Sequence, residues 1–568
     1  MSMRIPAGLW LLIAVHVACA PARTIRPVDQ LTIPGSASSP IVISIIGTND
    51  LHGGILPRDG RGGLALLGGY VNNLRAVRAH DGATLLIDAG DMFQGTLESN
   101  LGEGATVVAA YNALGYAAAT VGNHEFDFGP VGPAVTPARP GDDPRGALKA
   151  RAAEAKFAVL AANLIDDATK RPVEWPNVKP SVIVDAGGMR VGIVGVMTLR
   201  ALAETMSGNV KGLSVAPLAA TIAAQATALR AKGAHIVVVT AHAGGRCTSF
   251  EVPTDLPSCA ADAEIFQVAD ALAPGLVDVI VAGHSHAGMA HLRNGVAIIE
   301  SFIGGRTFGR VDLTANRASR RVMSKKIFPP QDVLSAGDYE GRPVVPDATI
   351  AAVIEPQLQR VRDLKARPLG VVLDTEIPRA ASLESPLGNF FTDVLLQSVP
   401  GADIALNNTD GGLRADLPAG PLTYGRLFEA YPFDNLIVRL TLTGADLKKA
   451  LAGRAGGRSV LGIAGLHARA TCVAGAPHVD LLRADGRTVG DDERVTVVTT
   501  DFLATGGEGL FTSITPPNGL GEQDIGQLVR DAAAQWLERR GGHLRDRDLV
   551  NLENPRWLLG GPPPLPCP

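Results

Sequence analysis

The chain has 568 residues, more than one hydrophobic core normally supports, so two domains are expected. Its formal net charge of -4 excludes a general binder of nucleic-acid polymers, which would carry a basic stripe. Aromatics make up only 4 % of the residues, so an aromatic beside polar loop residues carries extra weight.

Residues 1–22 read as an export signal, with Arg4 as the positive start and Gly8 to Ala18 as an apolar run too short for a membrane helix. Two processing outcomes are open. Val17-Ala18-Cys19 resembles a bacterial lipobox, despite His16 before it, and would leave Cys19 as a lipid anchor; the other outcome is cleavage near Ala20-Pro21-Ala22. Residues 23–40, rich in Pro, Ser and Ala, read as a tether. No later stretch is long and apolar enough to span a bilayer. The expected location is the periplasm, or the cell envelope through the lipid. Cys247, Cys259, Cys472 and Cys567 form an even set that would pair in an oxidising compartment. Cys247 with Cys259 would close a short surface loop, and Cys472 with Cys567 could pin the tail; four free buried thiols are the alternative.

In chain order, Ile41 to Ile46 is a β-branched strand running into Asn49-Asp50-Leu51-His52. Leu64 to Ala79 has helical spacing, and Thr84 to Ile87 is a strand ending in Asp88-Ala89-Gly90-Asp91. A helix over Ala105 to Leu114 precedes Val121-Gly122-Asn123-His124-Glu125-Phe126-Asp127. Residues 130–147 read as a surface excursion. Strands follow at Phe157 to Ala161, Arg190 to Val196, His235 to Val239 and Val277 to Val281, with helices at Leu218 to Ala231 and Ala263 to Leu272. The last two strands run into His242 and into Gly283-His284-Ser285-His286. Such alternation of apolar strands with amphipathic helices indicates a layered α/β domain over residues 41–330. Residues 331–366 form a linker whose Ile350, Val353, Ile354, Leu358, Val361 and Leu364 have helical spacing. A second domain covers residues 367–552, with a helix at Leu387 to Val399 and strands at Asp403 to Leu406, Leu436 to Leu442 and Val495 to Thr499. Residues 553–568 are a Pro-rich tail.

Five apolar runs therefore end in Asp, His or Asn, and ligands of open α/β sheets lie at that edge. Asp50, His52, Asp91, Asn123, His242, His284 and His286 offer two carboxylates, one amide oxygen and four imidazoles. Without a thiolate, this mixture suits zinc, manganese, iron or cobalt. Seven ligands exceed one tetrahedral zinc site and fit two divalent metal ions sharing a carboxylate and a hydroxide. His124 would serve the leaving group, with Asp127 fixing its tautomer. Glu125 and Phe126 read as scaffold.

Asp50-x-His52, Gly90-Asp91, Gly122-Asn123-His124-Glu125, His242 and Gly283-His284-x-His286 resemble the calcineurin-like metallophosphoesterase signature. The whole chain is similar to the bacterial 5′-nucleotidase / UDP-sugar hydrolase / 2′,3′-cyclic-nucleotide phosphodiesterase family. The resemblance implies an N-terminal four-layer α/β/β/α sandwich and a C-terminal α/β substrate domain. It assigns Asp50, His52, Asp91 and His286 to one metal, and Asp91, Asn123, His242 and His284 to the other. His124 and Asp127 match the catalytic dyad, and Asp88 remains a supporting residue.

In the second domain, the resemblance makes Phe433 and Phe502 a sandwich for a base, and puts Arg414, next to Gly411 and Gly412, on a phosphate. The chain departs from the family at Thr409, where asparagine is usual, and at Glu508, where aspartate is usual; both would face the ribose. The expectation is an exported, monomeric phosphohydrolase of 5′-nucleotides, with nucleotide sugars or 2′,3′-cyclic nucleotides as further substrates. The alternatives are a phosphoesterase for a non-nucleotide ester and a catalytically silent nucleotide-binding surface protein.

Overall fold

The computed structural model describes residues 40–559 and 567, apart from 133, 138, 380–383, 410, 456–460, 516–519 and 522. The expected export signal, Cys19, nearly all of the tether and most of the tail lie outside the described residues.

Two sheets form the centre of the N-terminal domain. One has seven strands in the order Val322–Asp332, Thr307–Asn316, Pro40–Thr48, Gly82–Asp88, Ala118–Thr120, Ala158–Leu160 and Val178–Lys179. The other has six, in the order Gly288–Arg293, Val296–Ser301, Val279–Ala282, Ile236–His242, Met189–Met197 and Ser181–Ala186. Side-chain alternation along the strands builds the layers. Ile43, Ile45, Leu85 and Ile87 meet Val191, Ile193, Val238 and Val281 in the core between the sheets. Ile46 and Leu86 point the other way, onto the apolar stripe of the helix Leu64–Asp81 and onto Val107 and Tyr111 of the helix Ala105–Leu114. Val237, Val239 and Ile280 pack against the helices Leu218–Ala231 and Glu264–Ala271. These are the four layers expected from the resemblance.

The sequence pattern predicts no strand between residues 288 and 332, where the structure has four. Thr307–Asn316 does carry a strand's alternation, with Val311, Leu313 and Ala315 facing the core between the sheets. Arg310 and Asp312 lie on Thr307–Asn316, and Asp312 Oδ2 accepts from Arg310 at 2.7 Å and from Arg78 at 2.9 Å. The alternate face of this strand is charged yet buried, which the alternation alone does not reveal.

The helix Ala348–Ala366 joins the two domains. Its N-cap Asp347 accepts from the amides of Thr349 and Ile350. Ile350 and Ile354 enter the N-terminal core, while Val361 enters the next core along with Leu387, Phe391 and Leu427. The C-terminal domain is built on a five-stranded sheet in the order Gly462–Ala464, Ile404–Asn407, Arg494–Thr500, Leu436–Thr443 and Gln523–Leu528. Among the described residues, no helix is long and apolar enough to cross a membrane. Both expected cysteine pairs are at bonding distance, Cys247–Cys259 at 2.06 Å and Cys472–Cys567 at 2.07 Å.

Candidate active site

Pro40–Thr48, Gly82–Asp88 and Ala118–Thr120 are parallel neighbours in one sheet, as are Ile236–His242 and Val279–Ala282 in the other. Their C-terminal ends release the polar loops toward one edge. Asp50 and His52 bind the second loop through backbone, Asp50 N–H to Gly90 O and His52 N–H to Asp91 O, each at 2.9 Å. Glu125 holds the third loop against the second, accepting from the amides of Gly122, Asp91 and Met92 at 2.7–2.9 Å. It is a buried brace, in keeping with a scaffold role. A side chain at Gly122 would start 2.3 Å from Asp91 Oδ1, so only glycine permits this approach. Asp88 also braces, accepting from Thr48, Tyr111 and the Gly90 amide.

Hydrogen bonds fix which ring nitrogens are bare. A carbonyl only accepts, so His52 donates its Nδ1–H to Gln94 O at 2.8 Å, and His242 donates its Nδ1–H to Ala89 O at 2.8 Å. In the neutral rings, both Nε2 atoms are left as lone-pair donors. Nε2 of His242 is 3.2 Å from Asp91 Oδ2, 2.9 Å from Asn123 Oδ1 and 3.2 Å from His284 Nδ1. Nε2 of His52 is 3.1 Å from His286 Nε2 and 3.8 Å from Asp91 Oδ2, and His286 Nε2 is 3.4 Å from Asp50 Oδ1. Donor atoms around one zinc-like ion at its usual bond lengths are roughly 3.3 Å apart. Two sets of side chains therefore meet a metal's demands: Asp50, His52, Asp91 and His286, and Asp91, His242 and His284. Asp91 belongs to both. The amide oxygen of Asn123 adjoins the second set through its approach to His242.

His124 stands beside these sets. Its Nδ1 is 2.6 Å from Asp127 Oδ2, and its backbone amide donates to Asp91 Oδ1 at 2.9 Å. Burial disfavours its imidazolium, but Asp127 and Asp91 outweigh that and lift the pKa to about 9.

The opposite wall comes from the C-terminal domain. A cleft of about 810 Å³ is lined by Asp91, Asn123 and His124 on one side and by Arg414, Phe433 and Phe502 on the other. Arg414 stacks its guanidinium 5.1 Å over the Phe433 ring. Buried Arg530 supports the Phe433 loop, donating to Tyr431 O and Phe433 O. Across the domains, Gln94 Nε2 donates to Pro432 O at 3.1 Å. Gly411, Gly412 and Glu508 also line the cleft, and Glu508 is paired with Arg454 at 2.5 Å.

Thr409 does not line the cleft; its methyl is turned to Gly388 and Gly462, each too small to fill that space. Asn407 and Asn408 line it instead, and Asn408 Oδ1 accepts from the Gly411 amide at 3.1 Å. Sequence reasoning misses Gln94, Arg454, Glu204 and Thr205, all of which except Thr205 bring charge or an amide to the cleft. Asn408 is legible as the asparagine one position off the family pattern; the others sit in stretches with no motif.

Comparison with known proteins agrees with this geometry. Residues 43–288 match the calcineurin-like phosphoesterase family model, and residues 366–515 match the 5′-nucleotidase C-terminal domain model. Endonuclease YhcR of Bacillus subtilis is 26 % identical over 82 % of this chain, which spans 37 % of that protein's length. Protein UshA of Yersinia enterocolitica is 24 % identical, over 88 % of this chain and 91 % of its own. The crystal structure of a 5′-nucleotidase precursor from Thermus thermophilus superposes with a TM-score of 0.67 at 26 % identity, covering 88 % of this chain and 97 % of that one. The chain belongs to the family of phosphoric ester hydrolases in which a calcineurin-like phosphoesterase domain is joined to a 5′-nucleotidase C-terminal domain.

Proposed function

We propose that the protein is an exported monomeric phosphohydrolase that releases phosphate from 5′-nucleotides with the help of two divalent ions, of zinc, manganese, iron or cobalt. The observation carrying this reading is the cleft itself. One wall offers imidazole and carboxylate donors around Asp91, and the other offers Arg414 against an aromatic ring. A phosphoester with a flat, stackable group has chemistry that suits both walls.

In this reading Asp50, His52, Asp91 and His286 would hold one ion, and Asp91, Asn123, His242 and His284 the other. Ions bound there supply an activated water and neutralise charge on the phosphoryl group. Arg414 grips phosphate oxygens with its planar fork. Phe433 and Phe502 hold the base between their faces. His124 gives its Nε2 proton to the departing ribose oxygen, while the ring keeps its Nδ1 proton, donated to Asp127, which stabilises the ring in both states. Gly411, Gly412 and Glu508 would shape the sugar end. With Thr409 turned away, Asn408 and the Arg454–Glu508 pair are the groups available there. Two disulfide pairs support an oxidising location, periplasmic or anchored at Cys19.

The test is phosphate release by the manganese- or zinc-loaded protein from AMP, UDP-glucose, 2′,3′-cyclic AMP and an aryl phosphate. AMP is expected to be hydrolysed with the highest kcat/KM. Release from the aryl phosphate without nucleotide preference would mark a general phosphoesterase. No release from any substrate, with nucleotide still bound, would mark a silent binding protein.

A further inference from the structure

The strand Met189–Met197 also ends at the site edge, and residues 198–206 beyond it carry no motif. Two consecutive residues there reach both halves of the chemistry. Glu204 Oε2 lies 3.1 Å from His284 Nε2, and its other oxygen accepts from Arg200 Nε at 3.0 Å. Its backbone carbonyl accepts from Asn123 Nδ2 at 2.9 Å. The next residue, Thr205, donates its hydroxyl to Asp127 Oδ1 at 2.9 Å, on the oxygen not used by His124. Met206 completes the turn with its sulfur 3.7 Å from the amide nitrogen of Asn435, on the opposite wall.

Each contact has a directional consequence. A carboxylate accepts, so His284 must carry its proton on Nε2 toward Glu204, which leaves Nδ1 bare. That bare atom is the one 3.2 Å from His242 Nε2. An amide that donates its nitrogen to Glu204 O must turn its oxygen the other way, and Asn123 Oδ1 lies 2.9 Å from the same His242 atom. Glu204 thus aims two donors at one point, one through its side chain and one through its backbone. Thr205 leaves Asp127 with one oxygen for the imidazole and fixes the plane of the carboxylate.

We infer that Glu204 and Thr205 are positioning residues of the reaction: Glu204 sets His284 and Asn123 for the metal they share with His242, and Thr205 sets Asp127 for His124. This rests on the two-metal reading above. It also gives the two halves a common mounting, since a shift of this turn moves a metal donor set and the proton donor together.

The experiment is a titration of chelator-treated full-length protein with manganese, followed by calorimetry or equilibrium dialysis, alongside thermal melts. Wild type is expected to take up two equivalents. Glu204→Ala is expected to bind one of them about 10–100-fold more weakly, with the other unchanged. Glu204→Gln, whose amide oxygen can still accept from His284, is expected to restore most of that affinity. Thr205→Val is expected to take up both equivalents normally, lower kcat for a nucleotide with KM held, and be rescued by Thr205→Ser. Wild-type affinity for both equivalents in Glu204→Ala overturns the inference for Glu204. Equal losses in the Ala and Gln variants, tracking a lowered melting point, overturn it in favour of simple packing. Unchanged kcat in Thr205→Val overturns the role of Thr205. A wild type that takes up fewer than two equivalents overturns the two-metal reading itself.

Discussion

The ring of Phe433 lies 6.1 Å from that of His124, centroid to centroid, although the two belong to different domains. A group stacked on Phe433 is therefore within a side chain's reach of the proposed proton donor. Phe433→Ala should raise KM for AMP by about 5- to 150-fold, from a stacking loss of about 1–3 kcal/mol. An aryl phosphate too small to bridge the cleft should change by less than about threefold. Steady-state kinetics on both substrates check this, and equal losses would remove the base-stacking role.

Among the described residues, Asp91 is the only carboxylate shared by the two donor sets. Asp91→Asn should therefore weaken uptake of both metal equivalents and lower phosphate release by at least about 100-fold. Metal content by mass spectrometry, read beside activity, separates this from a loss at one site only.

For His124→Ala the loss should depend on the leaving group. A nucleotide needs a proton on its departing alkoxide, so a fall of about 10²–10⁴ in kcat is expected. An aryl phosphate with an acidic phenol leaves without that help and should lose far less. A uniform loss across leaving groups would assign His124 to charge stabilisation alone.

Asp312 makes a prediction about pH. Burial raises its pKa, but the bonds from Arg310, Ser44 and Arg78 outweigh this and hold its carboxyl below the usual range. A depressed carboxyl gives stability that is present above the unfolded pKa of about 3.9 and lost as pH falls through the folded value. Asp312→Asn takes one carboxylate from two buried guanidinium groups that keep Asp81 and Glu340, and should cost about 1–3 kcal/mol at pH 7. The gap between wild type and variant should close below about pH 4, as read by urea unfolding across a pH series.

Much of this is legible because it is written at strand ends. Asp50, His52, Asp91, Asn123, His242, His284 and His286 follow apolar runs, and the structure gathers all of them at one edge. The joining helix is legible too, since Ile350, Ile354 and Val361 keep helical spacing while changing cores. Other parts are hidden for physical reasons. On the strand Thr307–Asn316, Arg310 and Asp312 read as a solvent face, yet both are buried in a charged network. Glu204 and Thr205 act from an irregular turn, where no period marks which side chains face inward. A family pattern puts Thr409 at the ribose, yet the small neighbours Gly388 and Gly462 draw its methyl away from the cleft.

Five of the seven expected donors, Asp50, His52, Asp91, His284 and His286, hold φ between 46° and 75°. A side chain in that conformation costs roughly 1 kcal/mol or more. Together they tie up several kcal/mol, a sizeable share of the roughly 5–15 kcal/mol that keeps a typical domain folded. Glycine at any of these positions would delete the donor and release the cost in one step. The backbone term thus pulls against the site, and the buried bonds each donor makes, such as those Asp50 accepts from Asn49 and the His284 amide, are what hold it in place.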